Sequence, residues 1–303
     1  MILAALLFAW QSGGLPGVNV NGLAFNRDFY AASDAGVFRR EPGGVWISLN
    51  SGLTSLAMNT LAVDPRTNVL YAGTAGSGAF KSVDAGQYWS AINDGLPTSF
   101  LDVSSIVVDA TSAVYLGTRG YGIFKSTNGG GSWTEKPTAI SSFIITLTID
   151  PANPAIVYAG SNRGVLKTTD AGMTWRQINN GITAPFSITA IVIDSSTIYA
   201  SSPFAGVFRS DDAGENWIQI NNGLTSSWVS ALAIANRTIY AGTPEMGIFR
   251  SADRGATWTQ FNEGLPNAFI HALIVVGGHI YAGTSSGVFF FDFAPRSRSV
   301  RSR

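Results

Sequence analysis

Tryptophan recurs along this chain at a near-constant interval. Trp10, Trp46, Trp89, Trp133, Trp175, Trp217 and Trp258 are separated by 36, 43, 44, 42, 42 and 41 residues. A second marker keeps step with it, since Tyr30, Tyr71, Tyr115, Tyr158, Tyr199, Tyr240 and Tyr281 lie 41, 44, 43, 41, 41 and 41 apart. Self-similarity at such a period means one small unit copied many times, each copy burying its apolar face against its neighbours. The period runs unbroken from Trp10 to Tyr281, so residues 1–293 are read as one domain rather than two.

Within the copy running from Val229 to Pro266 the hydrophobic pattern marks four short strands. Val229–Ile234 is apolar and small, while Thr238–Thr243, Gly247–Ser251 and Trp258–Phe261 alternate. Turn residues separate them: Asn236-Arg237, Pro244 to Gly247, Ala252 to Ala256, and Gly264-Leu-Pro266. No stretch shows helical periodicity. Four antiparallel strands in about 42 residues, repeated around an axis, describe a blade of a β-propeller. The expected fold is all-β, a seven-bladed propeller of four-stranded antiparallel blades. The last copy has first, second and third strands but no fourth, and residues 8–12 are the candidate to complete it, tying residue 10 to residue 290.

Composition narrows the function classes. Hydrophobic residues make up 46% and charged residues 13%, which supplies a core and gives no case for disorder of the repeats. Formal net charge is zero, but four of the 19 Lys and Arg residues are Arg296, Arg298, Arg301 and Arg303; residues 1–293 therefore hold 15 basic against 19 acidic side chains. A polyanion-binding surface and a nucleic-acid partner are not expected, and residues 294–303 read as a disordered, solvated Arg/Ser tail. Zero Cys excludes disulfides, thiol catalysis and thiolate metal sites. Met1 to Ala9 is apolar but far short of the roughly 20 residues of a membrane span, and no basic segment precedes it. It reads either as a signal-peptide remnant over residues 1–7 or as a buried strand. An exported, monomeric protein without a transmembrane segment is the expectation.

Ser82-x-Asp84-x-Gly86-x-x-Trp89, Thr168-x-Asp170-x-Gly172-x-Thr174-Trp175, Ser210-x-Asp212-x-Gly214-x-x-Trp217 and Ser251-x-Asp253-x-Gly255-x-Thr257-Trp258 resemble Asp boxes, and Ser126 to Trp133 is a variant with Asn128. Such boxes mark the BNR, sialidase and sortilin-type propellers. With the Tyr-Ala-Gly-Thr and Gly-Leu-Pro elements, the pattern is most similar to the seven-bladed propellers of photosystem II assembly factors and xyloglucanases. The resemblance covers residues 8–293 and speaks for fold more than for activity. Residue chemistry agrees: Asp84, Asn128, Asp170, Asp212 and Asp253 each lie one per copy, where the side-chain oxygen can accept backbone N–H groups of its own turn. They are read as structural. Asp64, Asp109, Asp150 and Asp194 end first strands and are read as turn residues too.

Chemistry is hard to assemble from the rest. The carboxylates expected on the face of the second-to-third-strand loops, Asp34, Asp102 and Glu245, belong to the first, third and sixth copies. Non-adjacent copies do not set up the separations of about 5–5.5 or 6.5–9.5 Å that glycoside hydrolysis needs. The resemblance adds that xyloglucanases place their catalytic aspartates on two tandem propellers, where this chain holds one. His271 and His279 have no companion ligands, so no metal and no cofactor are expected. Lys81, Lys125, Lys167, Arg209 and Arg250 recur in third strands and are read as covering apolar surface with their stems. Two clusters remain for binding. Arg119, Tyr121 and Arg163 occupy equivalent loops of the third and fourth copies, and aromatics recur in the connectors between copies at Phe100, Phe143, Phe186, Trp228 and Phe269. A non-catalytic binding or assembly scaffold with a protein partner is the expectation, using Arg119, Tyr121, Arg163, Phe186, Trp228 and Phe269; a carbohydrate-active propeller is the alternative.

Overall fold

The structure, a computed structural model, describes residues 9–99, 101–138, 143–266 and 269–293. The expectations for residues 1–7, for residues 294–303 and for Phe100 lie outside the described residues. Unit 6 shows the plan of every copy: strands Ala231–Ala235, Thr238–Gly242, Ile248–Ser251 and Thr259–Gln260 pair antiparallel in sequence order. Units 1, 4, 5 and 6 each form a separate four-stranded sheet. Unit 7 contributes Ile270–Val276, His279–Thr284 and Gly287–Asp292, and Gln11–Gly14 completes its sheet through Gln11↔Phe290 and Ser12↔Phe289. Units 2 and 3 share one eight-stranded sheet, because the start of unit 3 pairs with unit 2 through Leu101↔Gly76 and Asp102↔Ala75. The architecture is an all-β propeller with four-stranded antiparallel blades.

The first strand of each unit contacts the first strand of the next, and Val20–Phe25 of unit 1 also contacts Ile270–Val276 of unit 7. No single central core exists. Apolar side chains gather in layers between consecutive units, such as Tyr30, Leu49, Leu70, Phe80 and Trp89 at the first seam and Leu15, Val20, Phe29 and Val288 at the last. Burial within these layers pushes the hydroxyls of Tyr30, Tyr71, Tyr115 and Tyr158 up to about 12.

The repeated tryptophan is a seam residue. Its indole N–H donates at 2.6–2.8 Å to a carbonyl in, or one residue beyond, the preceding unit's last strand: Trp89 to Leu49, Trp133 to Ile92, Trp217 to Ile178, Trp258 to Ile220, Trp10 to Phe261 and Trp46 to Gly13. A glycine makes this approach possible. A Cβ on Gly52, Gly95, Gly181, Gly223 or Gly264 would come within 2.0–2.4 Å of the carbonyl oxygen of Trp89, Trp133, Trp217, Trp258 or Trp10, and all five glycines have positive φ. Trp175 departs from the pattern: its indole nitrogen is buried without a partner among the described residues. The connector preceding its unit, Lys136-Pro-Thr138, lacks the Gly-Leu element.

The Asp-containing turns close third to fourth strands. In unit 2 the Ser82 hydroxyl donates to Asp84 Oδ1 at 2.7 Å, the Gly86 N–H donates to Ser82 Oγ at 2.8 Å, and the Tyr88 N–H donates to Asp84 Oδ1 at 3.0 Å. Units 4, 5 and 6 repeat this around Asp170, Asp212 and Asp253, and Asn128 makes the equivalent bonds in unit 3. Asp64, Asp109 and Asp150 likewise accept backbone N–H groups two residues on, at 2.8 Å.

Candidate functional site

Second-to-third-strand loops and unit-to-unit connectors meet at one end of the blades, as antiparallel order requires. Arg119 bridges to Phe143, the Asn162 N–H donates to the Phe143 carbonyl at 3.3 Å, and the Gly206 N–H donates to the Ser227 carbonyl at 2.8 Å. These loops are rigid. A hydroxyl at the end of the second strand donates back across most of these turns, as Ser33 to Gly36 O, Thr118 to Gly122 O, Ser161 to Gly164 O and Thr243 to Gly247 O do at 2.8–3.0 Å. This is the use of the Thr in Tyr-Ala-Gly-Thr. An asparagine four residues after the tryptophan adds a clamp. Asn50, Asn93, Asn179, Asn221 and Asn262 each accept from the strand residue after the loop glycine, and each donates to a loop carbonyl. Sequence reading missed these asparagines, although their fixed offset from tryptophan was the available signal.

The predicted residues separate into engaged and available groups. Arg119 donates to Asp102 at 3.1 Å, and Asp102 also accepts the Asn59 amide at 2.7 Å. Tyr121 hydroxyl lies 2.9 Å from Ser99 Oγ, and its ring packs against the apolar layer between units 2 and 3. Arg119 and Tyr121 are therefore held by their own protein. Arg163 is exposed and has no ion pair among the described residues, while its carbonyl accepts Asn179 Nδ2 at 2.8 Å, which fixes the loop beneath it. Phe143, Phe186 and Trp228 are 38%, 39% and 46% exposed. Phe269 is partly covered, edge-on to Trp228 at 5.7 Å and stacked on His271 at 4.7 Å. Two neighbours were not anticipated: Phe204 and Met246, in the second-to-third-strand loops of units 5 and 6, are 59% and 43% exposed.

A central cavity of about 560 Å³ opens between the first strands, lined mainly by hydroxyl and aliphatic side chains, with Arg119 and His271 among them. Its polar groups join neighbouring units. Asn21 donates to Met58 O at 2.9 Å, Asn59 to Val103 O at 3.1 Å, Ser104 to Ile144 O at 2.7 Å, Thr189 to Val229 O at 2.6 Å, and Ser230 to Ile270 O. His271 holds the equivalent position in unit 7, with Nε2 buried and without a partner among the described residues; burial pushes its imidazole below the ordinary value. Asp34 is held by the Asn19 and Asn21 amides, each at 2.7 Å. Asp34 and Asp102 thus have separate partners in separate units, and no group of three or more His, Cys, Asp or Glu is placed to hold a metal among the described residues. No helix there is long and apolar enough to cross a membrane.

No family model and no curated protein matches this sequence. Solved structures do resemble the fold. A GH74 enzyme from Niastella koreensis superposes with TM-score 0.75 at 20% identity, over 95% of this chain and 55% of that one. The extracellular domain assigned to a hybrid two-component system of B. thetaiotaomicron gives 0.73 at 15% identity, over 92% and 38%. YCF48 from Cyanidioschyzon merolae gives 0.69 at 16% identity, over 94% and 98%. This chain spans about half the length of the GH74 structure, less than half of that extracellular domain, and nearly all of YCF48. At these identities the likeness is one of fold.

Proposed function

We propose that this chain is a seven-bladed propeller, closed by a blade composed from both ends of the described chain, that acts as a non-catalytic binding or assembly scaffold for a protein partner. Seven blades follow from reading the eight-stranded sheet as two four-stranded ones, each with its own register, joined by two residue pairs. Closure is supported by the apolar layer of Val20, Phe29 and Val288. The Ser-x-Asp-x-Gly turns have the bonding expected of Asp boxes, with a structural role. An extracytoplasmic setting goes with this reading, since one structural neighbour is an extracellular domain.

The observation that carries the partner reading is a run of exposed apolar side chains beside an unpaired cation on clamped loops. Phe143 and Phe186 lie in the connectors on either side of unit 4, whose loop presents Arg163, and Phe204, Trp228 and Met246 continue the exposed row along units 5 and 6. Rigid aromatics beside an arginine are the composition of interface hot spots, and loops already ordered reduce the entropic cost of association. Arg119 and Tyr121 contribute as the floor of this face rather than as free contacts. Capture of a partner from the native extract should be lost with Arg163→Glu and with Trp228→Ala, and retained when the exposed Arg27, in the first-to-second-strand turn of unit 1 at the other end of the blades, is reversed to Glu. The carbohydrate alternative leans on the Trp228, Phe269 and His271 row. Binding or turnover of β-glucan oligosaccharides that disappears in Trp228→Ala, with no protein captured, would replace the scaffold reading.

A further inference from the structure

The central cavity is lined near the loop end of the blades by side chains at one fixed register, each directly following a fully buried Val, Met or Ile. In five units this position is polar: Asn21, Asn59, Ser104, Thr189 and Ser230. Their protons are spent. An amide carries two N–H donors and a hydroxyl one. Asn21 Nδ2 gives its two to Asp34 Oδ1 at 2.7 Å and Met58 O at 2.9 Å, and Asn59 Nδ2 gives its two to Asp102 Oδ1 at 2.7 Å and Val103 O at 3.1 Å. The hydroxyls of Ser104, Thr189 and Ser230 go to carbonyls of the next unit. What these side chains still offer a ligand is acceptor capacity: hydroxyl lone pairs, and two amide oxygens that no donor meets among the described residues.

Behind each asparagine stands a carboxylate. An amide whose N–H bonds an anion is polarised, which raises the negative charge on its oxygen. Asp102 is paired with Arg119 at 3.1 Å, whereas Asp34 accepts only the Asn19 and Asn21 amides and has no ion pair among the described residues. The arc running from unit 1 to unit 3 therefore keeps a net negative charge beside oxygens that can only accept. Across the seam to unit 7, burial holds the His271 imidazole below its ordinary value, which disfavours a competing cation there.

We propose that this arc of the cavity binds a primary ammonium group, with Asn21 Oδ1, Asn59 Oδ1 and Ser104 Oγ accepting its N–H bonds and the adjoining Leu23, Leu61 and Ile106 receiving the carbon chain. An ammonium carries three donors and no acceptor, and three consecutive units supply three acceptors. A volume of about 560 Å³ is in the range of small-ligand sites. The same chemistry arrives either on a free small amine or on a lysine side chain. The site lies within the cavity, apart from the exposed rim side chains that carry the scaffold reading, so its failure would leave that reading untouched.

Ligand-observed NMR titration of the full-length chain with n-butylammonium chloride tests this. Saturable binding is expected with a Kd of about 1–10 mM, as suits a probe of few atoms. Tetramethylammonium, equal in charge but without N–H donors, should bind about tenfold more weakly or worse, the scale of a lost charge-assisted hydrogen bond. Asn59→Ser keeps a hydroxyl for the Val103 carbonyl, as serine does at this register in units 3 and 6, and should weaken n-butylammonium about tenfold with little change in urea midpoint. Asp34→Asn removes the charge from an exposed loop residue and should weaken binding severalfold. Nα-acetyl-lysine N-methylamide separates the two sources: affinity matching n-butylammonium admits a lysine side chain, and clearly weaker affinity assigns the site to a free amine. Absence of saturable n-butylammonium binding by the wild type would overturn the inference. So would equal affinity for tetramethylammonium, or affinity unchanged in both variants.

Discussion

At the scale of single residues, the turn carboxylates couple stability to acidity. Hydrogen bonds from Thr174, Asn216 and Thr257 side chains and backbones hold Asp170, Asp212 and Asp253 down at about 2, against an ordinary 3.8. A carboxyl group depressed on folding contributes stability that is fully present above its unfolded value and is lost as pH falls through the folded one. Stability should therefore decline as pH drops from about 4 toward 2. Asn128 shows that a neutral amide closes the same turn, accepting the Ser126 hydroxyl at 2.8 Å and the Ser132 N–H at 2.9 Å. The triple variant Asp170→Asn, Asp212→Asn, Asp253→Asn is expected to fold and to show a flatter urea midpoint between pH 4 and 2 than the wild type. An unchanged slope would remove these turns as the source. The turn role of these residues was legible in the sequence because every partner lies within four positions.

At the scale of elements, the tryptophans show how a seam is built. Replacing Trp217 with Phe leaves the Ile178 carbonyl without its donor inside a buried layer, and should cost about 1–3 kcal/mol. Trp175→Phe removes an indole N–H that has no partner among the described residues, so it should cost clearly less. Urea unfolding of the two variants side by side decides the matter, and equal losses would show that ring size rather than the hydrogen bond matters. Strand order, strand length and the tryptophan period were readable beforehand, since they are set by alternation and turn chemistry over ten residues. Boundaries shifted slightly: the completing strand is Gln11–Gly14 rather than residues 8–12, with Trp10 used as a seam side chain instead of a ladder residue. The clamp asparagines escaped notice because a polar residue at a strand end has many uses, and only the loop it folds under reveals which one applies.

For the whole molecule, the join between residues 11–14 and 288–290 is the longest-range strand pairing among the described residues. Trp10 reinforces it, packing on Phe261 and Phe291 at 5.7 and 6.1 Å. Trp10→Ala should lose about 3–5 kcal/mol, the range for deleting a buried aromatic. Removing residues 1–14 should go further, uncovering the edge of Gly287–Asp292 and driving association through it. Sedimentation velocity checks this: a truncated chain that remains monomeric with an unchanged unfolding midpoint would contradict a closure that depends on this strand.

By itself the sequence determined the repeat, its four-strand plan and the turn locks, because each rests on interactions within one unit. Tertiary structure alone decided which side chains are available. Arg119 and Arg163 sit at equivalent loop positions, yet one is neutralised by Asp102, itself anchored by Asn59 from the neighbouring unit, and the other is exposed with no ion pair among the described residues. Lys167 and Arg250 likewise share a register, but among the described residues only Lys167 bonds a turn of the next unit. Those differences arise across seams between residues some 40 to 50 positions apart, a distance at which local pattern carries no information about who faces whom.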